Sequence, residues 1–312
     1  MLGSLIIDKP DGLTSHDVVA RVRRAAATRR VGHAGTLDPF ATGVLVVCVG
    51  RATRLVQFLS GLDKEYLATV RLGFATDTQD LSGKQATSPV SSSHLSVEDV
   101  RRAMIRFTGP QLQLPPMFSA KKIGGERLYR AAREGREVER APVPIIVHSL
   151  ELVESSALTH AEDKEGTRDF IMRVRCSSGT YVRTLAHDIG KELGVGAHLA
   201  ALRRTRVGHF KIESALTLEE VEAKAREGVL EGSLVRPSQM LAHLPEVILD
   251  DERMRRVLYG MELRLSPGEQ KMIRASFEPL RLCDEAGALV AVGEYDGTRQ
   301  TVKPRVVIHE KV

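Results

Sequence analysis

The chain has 312 residues, 42% of them hydrophobic and 27% charged, which is ordinary for a globular protein and enough for two domains with a sizeable core. Aromatics make up only 4% and Trp is absent, so the core must be aliphatic; no apolar run approaches the roughly 20 residues of a membrane span, and MLGSLIIDKPDG lacks the basic start and long apolar stretch of a signal peptide. The net charge of +5 sits wholly outside residues 233–312, which hold 12 Lys+Arg against 12 Asp+Glu, and a basic excess is the footprint of a polyanionic partner.

Residues 4–9, SLIIDK, read as a short strand and Pro10-Asp11-Gly12 as a turn. Thr14-Ser15 can cap a helix carrying Val18, Val19 and Val22. Arg21, Arg23, Arg24, Arg29 and Arg30 then cluster just before VGHAGTLDPFATGVLVVCVG, residues 31–50. That stretch holds one acid, Asp38, with Gly32, Gly35 and Gly43 around it and Pro39 after it. Glycine lets backbone approach a ligand closely, and the proline keeps Asp38 out of helical geometry. Val44–Val49 is short and β-branched, the pattern of a buried strand. One carboxylate is thus held on a stiff turn beside a core strand, although Asp-Pro alone is also an ordinary turn signal. Arg51 to Leu62 reads as a helix with Leu55, Phe58, Leu59 and Leu62 on one side.

Tyr66, Ala68, Val70 and Leu72 alternate with strand periodicity. Thr76 to Ser93 is polar and reads as a surface loop. Ser96 with Asp99 forms a capping box ahead of Val97, Val100, Met104 and Phe107. Residues 115–140, PPMFSAKKIGGERLYRAAREGREVER, carry seven cations against four acids with Tyr129 interleaved. Such a block suits a nucleic-acid backbone, or is a solvated helix with internal ion pairs. Val143–Val153 and Asp169–Cys176 read as strands, separated by a charged loop at His160–Arg168. Val182, Leu185, Ala186, Ile189 and Leu193 give a helical stripe ended by Gly194, with Tyr181 and Arg183 at its start. Thr217-Leu218-Glu219-Glu220 caps one more helix. Beyond Pro237, EVILDD, GALVAVGEYDG and VKPRVVIHE read as short strands of a β-rich module.

Several chemistries find no support. There is no HExxH, no paired Cys/His spacing, no phosphate-binding glycine loop ahead of Lys-Ser/Thr and no G-x-S-x-G elbow. Cys48, Cys176 and Cys283 are far apart and odd in number, so they read as reduced core thiols in a cytosolic protein.

GHAGTLDPFATGVL, a highly specific pattern, resembles the signature of the TruB family of tRNA pseudouridine synthases. DKPDGLTS, CSSGTYVRTLAHDIG and LRRTRVGHF resemble three further motifs of that family, so the match runs from about Ser4 to Phe210. The resemblance implies a pseudouridine synthase fold: an α/β catalytic domain on a mixed, largely antiparallel sheet over residues 1–236, with a PUA-like RNA-binding domain over 237–312. It makes residues 115–140 a thumb insertion gripping the T-arm of tRNA, with Lys121, Lys122, Arg127 and Arg130 on the RNA backbone.

It assigns Asp38 as the catalytic carboxylate, paired with Arg183, and places Tyr66 on the flipped base. Tyr181 and Leu202 line the uracil pocket, His33 fills the vacated space, and Lys9 and Pro10 support the site from below. It implies isomerisation of uridine 55 in the T-loop by a stand-alone cytoplasmic protein, with no metal or organic cofactor and no obligatory protein partner. Each residue also has a plain structural reading: Tyr66 as a strand aromatic, Arg183 as a helix-surface charge, Leu202 as core and His33 as a loop histidine. Two alternatives differ in kind. One is an RNA-guided synthase working in a particle, which would lack the thumb-like block. The other is a non-catalytic RNA chaperone in which Asp38 is structural.

Overall fold

In a computed structural model, residues 1–119, 122–123, 126–136, 138–153, 158–160, 166–273 and 275–308 are described. Along the chain run β1 (Gly3–Lys9), α1 (Ser15–Ala25), β2 (Val31–His33), β3 (Thr42–Val49), α2 (Val56–Leu59) and β4 (Lys64–Leu72). Then come α3 (Val97–Arg106), β5 (Gly109–Gln113), β6 (Lys122–Ile123), β7 (Glu126–Arg127), α4 (Leu128–Arg133), β8 (Val143–Leu152), β9 (Thr159–His160) and β10 (Arg168–Cys176). α5 (Val182–Glu192), β11 (Ala197–Val207), β12 (Phe210–Lys211), α6 (Leu218–Arg226) and α7 (Pro237–Met240) follow. The last stretch holds β13 (Glu246–Leu249), α8 (Asp251–Leu258), β14 (Leu263–Arg264), α9 (Pro267–Gln270), β15 (Pro279–Asp284), β16 (Leu289–Asp296) and β17 (Thr301–Val307).

Three of the helices, α1, α3 and α6, begin where local chemistry directs. Thr14, Ser96 and Thr217 accept a bond from the N–H three residues on, and the carboxylates of Asp17, Asp99 and Glu220 accept one from the backbone N–H of the cap. Such caps contribute about 1 kcal/mol each by satisfying N–H groups that no helical carbonyl can reach.

Contacts divide the chain into two compact units. The first is Met1–Asp38, Val44–Gly61 and Gly208–Val312; the second is Pro39–Gly43 and Leu62–Val207. In the first unit, β3 is buried over Val44–Val49, as a strand covered on both faces requires. β1 pairs with it, and β2 pairs antiparallel, setting Val31 opposite Val49 and His33 opposite Val47. α1 and α6 pack together over Leu5, Ile7, Val18, Val22, Leu45, Val47 and Val221. Each such side chain contributes about 1.5–3 kcal/mol on leaving water. Residues 246–307 form a separate five-stranded sheet in the order β13-β15-β16-β17-β14, with β13 and β15 parallel and the other neighbours antiparallel.

In the second unit β11, β4, β10, β8 and β5 lie side by side, antiparallel at every step. Thr42 and Gly43 join this sheet parallel to β11, beside Arg203 and Arg204. Gly43 has φ +99°, and a Cβ there would sit 2.2 Å from the Arg204 carbonyl oxygen, so only glycine closes this junction. α5 packs on β11 and β4, and α3 on β8 and α5. The architecture is a mixed α/β one with largely antiparallel pairing, as expected.

Two expectations need correction. Arg51–Leu62 is not one helix but a 3-10 helix over Gly50–Leu55 continued by the single turn of α2. Buried Ala52 and Leu55 are three apart, one 3-10 turn, and buried Leu55 and Leu59 are four apart, one α turn. The Thr76–Ser93 segment is not simply a surface loop, because Thr76, Asp80 and Ser92 are buried. Cys48, Cys176 and Cys283 are free and buried, and burial pushes the Cys48 and Cys283 thiols up to about 12. Among the described residues, no helix is long and apolar enough to cross a membrane.

Candidate active site

The Asp38 loop is built from the α1 cap outward. Lys9 is fully buried at the end of β1, and its ammonium donates to the carbonyls of Pro10 (2.8 Å) and Leu13 (2.6 Å). It thereby shapes the turn that delivers Ser15 to the first helical position. The Ser15 hydroxyl accepts from the Leu37 N–H (2.9 Å) and donates to the Leu37 carbonyl (3.2 Å). On the other side Ala34 N–H donates to the Val46 carbonyl (2.9 Å). The loop between His33 and Asp38 is therefore held to both a helix start and a core strand. Asp38 and His33 are each half-buried. The His33 ring meets that of His16 on α1 edge-on, with centroids 5.6 Å apart and planes at 81°, a favoured aromatic arrangement.

The second unit supplies the remaining assigned residues. Tyr66 is 8% exposed in the middle of β4, opposite Val174 on one side and Arg204 on the other. Leu202 lies opposite Ala68, one pleat along on the same face. Lys64 shares that face and is also buried; burial first, and the Arg204 charge second, lower its ammonium to about 8.

Arg183 is 4% exposed in the first turn of α5. Its guanidinium donates to the carbonyls of Thr78 (2.8 Å) and Phe118 (2.7 Å) and lies 3.5 Å from an Asp80 carboxylate oxygen. A planar fork suits this three-sided hold, and a lysine could not reproduce it. Asp80 is itself fixed: its other oxygen accepts from the Thr78 hydroxyl (2.7 Å) and the Ser82 N–H (3.0 Å). The plain reading of Arg183 as a helix-surface charge is thereby overturned.

Tyr181 is the N-cap of α5 but makes no side-chain cap bond. Gln113 clamps it instead: Tyr181 N–H donates to the Gln113 amide oxygen (2.8 Å), and the Gln113 amide donates to the Tyr181 carbonyl (3.0 Å). Asp80, Gln113 and His16 were not singled out from the sequence. The TDTQDLSG stretch around Asp80 carried an Asx-turn signal, but nothing local points to Gln113 or His16.

Of the basic block, Lys122 and Arg127 are backbone register partners in the β6–β7 hairpin and Arg130 lies in α4, while Lys121 lies outside the described residues. Arg136 is paired with Glu134 (2.6 Å), and Arg140 donates to the Pro115 carbonyl (3.0 Å). Among the described residues, no group of three or more His, Cys, Asp or Glu side chains could hold a metal ion.

Comparison with known proteins places this geometry. The pattern of the TruB family pseudouridylate synthase N-terminal domain matches residues 23–182, and that of the tRNA pseudouridylate synthase B C-terminal domain matches residues 183–265. The tRNA pseudouridine synthase B of Symbiobacterium thermophilum is 49% identical over 261 residues, covering 83% of this chain and 82% of that protein. That of Pelotomaculum thermopropionicum is 42% identical over 297 residues, covering 95% and 89%. Among solved structures, the archaeal box H/ACA sRNP Nop10-Cbf5 complex contains a chain that superposes with a TM-score of 0.69 at 28% identity, covering 100% of this chain and 86% of that one. With more than half its length under the family pattern and relatives 42–49% identical over most of both chains, the chain belongs to the TruB family of pseudouridylate synthases.

Proposed function

We propose that this chain converts uridine to pseudouridine at position 55 in the T-loop of tRNA, as a stand-alone cytoplasmic enzyme. The carrying observation is the Asp38 loop, which lies inside the matched family segment and is bonded to both Ser15 and Val46 through its neighbours. The N1–C1′ bond breaks, the uracil turns, and a C5–C1′ bond forms. The C5 proton is lost and N1 gains one, so no electrons are exchanged with any other molecule. Asp38 serves this at the ribose, either by attacking C1′ or by taking the 2′ proton, and both routes need the ionised carboxylate. Arg183 pairs with it and keeps it charged. Tyr66 stacks on the flipped uracil, Tyr181 and Leu202 line its pocket, and His33 fills the space left behind. Unstacking the base costs a few kcal/mol, offset by these contacts and by phosphate contacts from Lys121, Lys122, Arg127 and Arg130. Residues 237–312 act as a PUA-like RNA-binding domain.

The test is pseudouridine mapping on an unmodified tRNA transcript incubated with the purified chain alone. Wild type should modify uridine 55. Asp38→Asn, nearly isosteric but unable to act as a carboxylate, should bind tRNA and form no product. Near-normal turnover by that variant, checked against deamidation, would sink the assignment. A second reading, RNA-guided modification in a particle, is motivated by the Cbf5 structures. Product formation by the chain without guide RNA or protein excludes it as a requirement.

A further inference from the structure

The arginines that precede the Asp38 loop have no part in the chemistry above. α1 ends at Ala25, and residues 26–30 make a tight turn into β2. Ala27 takes a left-handed φ of +47°, which costs a residue with a Cβ about 1–2 kcal/mol and marks a turn held in place by its surroundings. The restraints are visible. Ala27 N–H donates to the Arg24 carbonyl and Thr28 N–H to the Arg23 carbonyl, both at 3.2 Å. Gly50 N–H ties the Arg30 carbonyl to the end of β3 at 2.8 Å, and Arg23 reaches forward to the Val31 carbonyl at 3.0 Å.

This braced turn carries exposed Arg23, Arg24, Arg29 and Arg30. No acidic residue lies between Asp17 and Asp38 in the sequence. Arg21, on the same helix, is committed to Glu222 (2.7 Å) and Glu219 (3.3 Å), and Arg24 contributes to holding the Glu222 carboxylate below its usual range. Among the described residues, Arg29 and Arg30 form no ion pair with an acid. Residues 23–30, RRAAATRR, offer no large apolar side chain. An amphipathic membrane anchor would need one, whereas a polyphosphate backbone needs only guanidinium forks. β2 carries the chain from this turn to His33, so the Arg30 and His33 backbones are about 10 Å apart at the usual strand rise.

We propose that Arg29 and Arg30, with Arg23 beside them, are a phosphate-binding ridge for the RNA strand that carries the target uridine, gripping it within a few nucleotides of that base. The proposal rests on the reading of His33 and Asp38 as the residues facing the target. It differs from the thumb in sequence and in the stretch of backbone it holds. Its occupant is the T-arm strand itself, not a distant part of the tRNA.

The test uses the full chain with Arg29→Gln/Arg30→Gln, and Arg101→Gln/Arg102→Gln on α3 as a control of equal net charge. Affinity is measured across a salt series for intact tRNA transcript and for an isolated T-arm hairpin. Each lost phosphate contact lowers the slope of log affinity against log salt by about 0.7–0.9, so the ridge variant should lose about 1.4–1.8 on both RNAs while the control moves far less. Equal losses in both variants would reduce the effect to net charge and overturn the ridge. Loss on intact tRNA with an unchanged hairpin would overturn its placement near the target, and an unchanged slope on both would overturn it outright. Should the pair lower the unfolding midpoint, Arg29→Gln alone carries the same test with half the slope change. Binding without isomerisation by wild type would count against the proposed function while leaving the slopes readable.

Discussion

Gln113→Leu should both loosen the fold and slow the chemistry. Gln113 is 4% exposed at the end of β5 and makes two bonds to the backbone of Tyr181, 68 residues away. Leucine keeps most of the volume and removes both partners. A buried backbone group left unpaired costs about 1–3 kcal/mol. Tyr181 is half-buried, so water recovers part of this, and a total of about 2–3 kcal/mol is expected from the two bonds. At roughly 2–4 °C per kcal/mol for a chain of this size class, the unfolding midpoint should fall by about 5–10 °C. The freed end of α5 carries Tyr181 and Arg183, and each 1.4 kcal/mol of lost positioning slows turnover about tenfold. Thermal unfolding and C5-hydrogen release from labelled tRNA read the two effects. A leucine variant that melts within 1 °C of wild type and turns over normally, against the loss computed above, would refute the clamp.

Lys64 sets a pH dependence. Its folded pKa, about 8, lies below the ordinary 10.5, so between those values the unfolded chain holds a proton that the folded chain has released. Stability from this group therefore rises with pH across that window and is least below it. Urea unfolding of Lys64→Met between pH 7 and pH 10 should show a flatter profile than wild type; parallel profiles would count against a depressed ammonium. Neutralising Lys121, Lys122, Arg127 and Arg130 together should weaken tRNA binding and flatten its salt dependence, and wild-type behaviour in both would overturn the phosphate-contact reading. Activity on prefolded tRNA should survive exhaustive chelation, and recovery only with a particular transition metal would overturn the cofactor-free reading.

The elements that could be read in advance are those whose causes are local. The boxes at Thr14, Ser96 and Thr217 close within three residues, and the alternation of β4 is written in consecutive positions. Arg51–Leu62 misled because its apolar spacing admits both a 3-10 and an α turn. The Thr76–Ser93 segment misled for another reason: its composition is that of a solvent-exposed loop, and the partner that buries Asp80, Arg183, is over one hundred residues downstream.

The same division runs through the site. Sequence alone determined the inventory: one carboxylate on a proline-stiffened loop, a tyrosine in an alternating strand, an arginine at a helix start and a basic body. Those follow from side-chain chemistry and from hydrogen bonds spanning a few residues. Only tertiary structure decided what surrounds them. It put carbonyls of Thr78 and Phe118 and the carboxylate of Asp80 around Arg183, set Gln113 on the cap of α5, and laid Arg204 beside Lys64. Burial and the neighbouring charge that shift an ammonium, like the carbonyls that fix a guanidinium, come from strands and loops far apart in the chain, and they exist only once the sheet has closed its register.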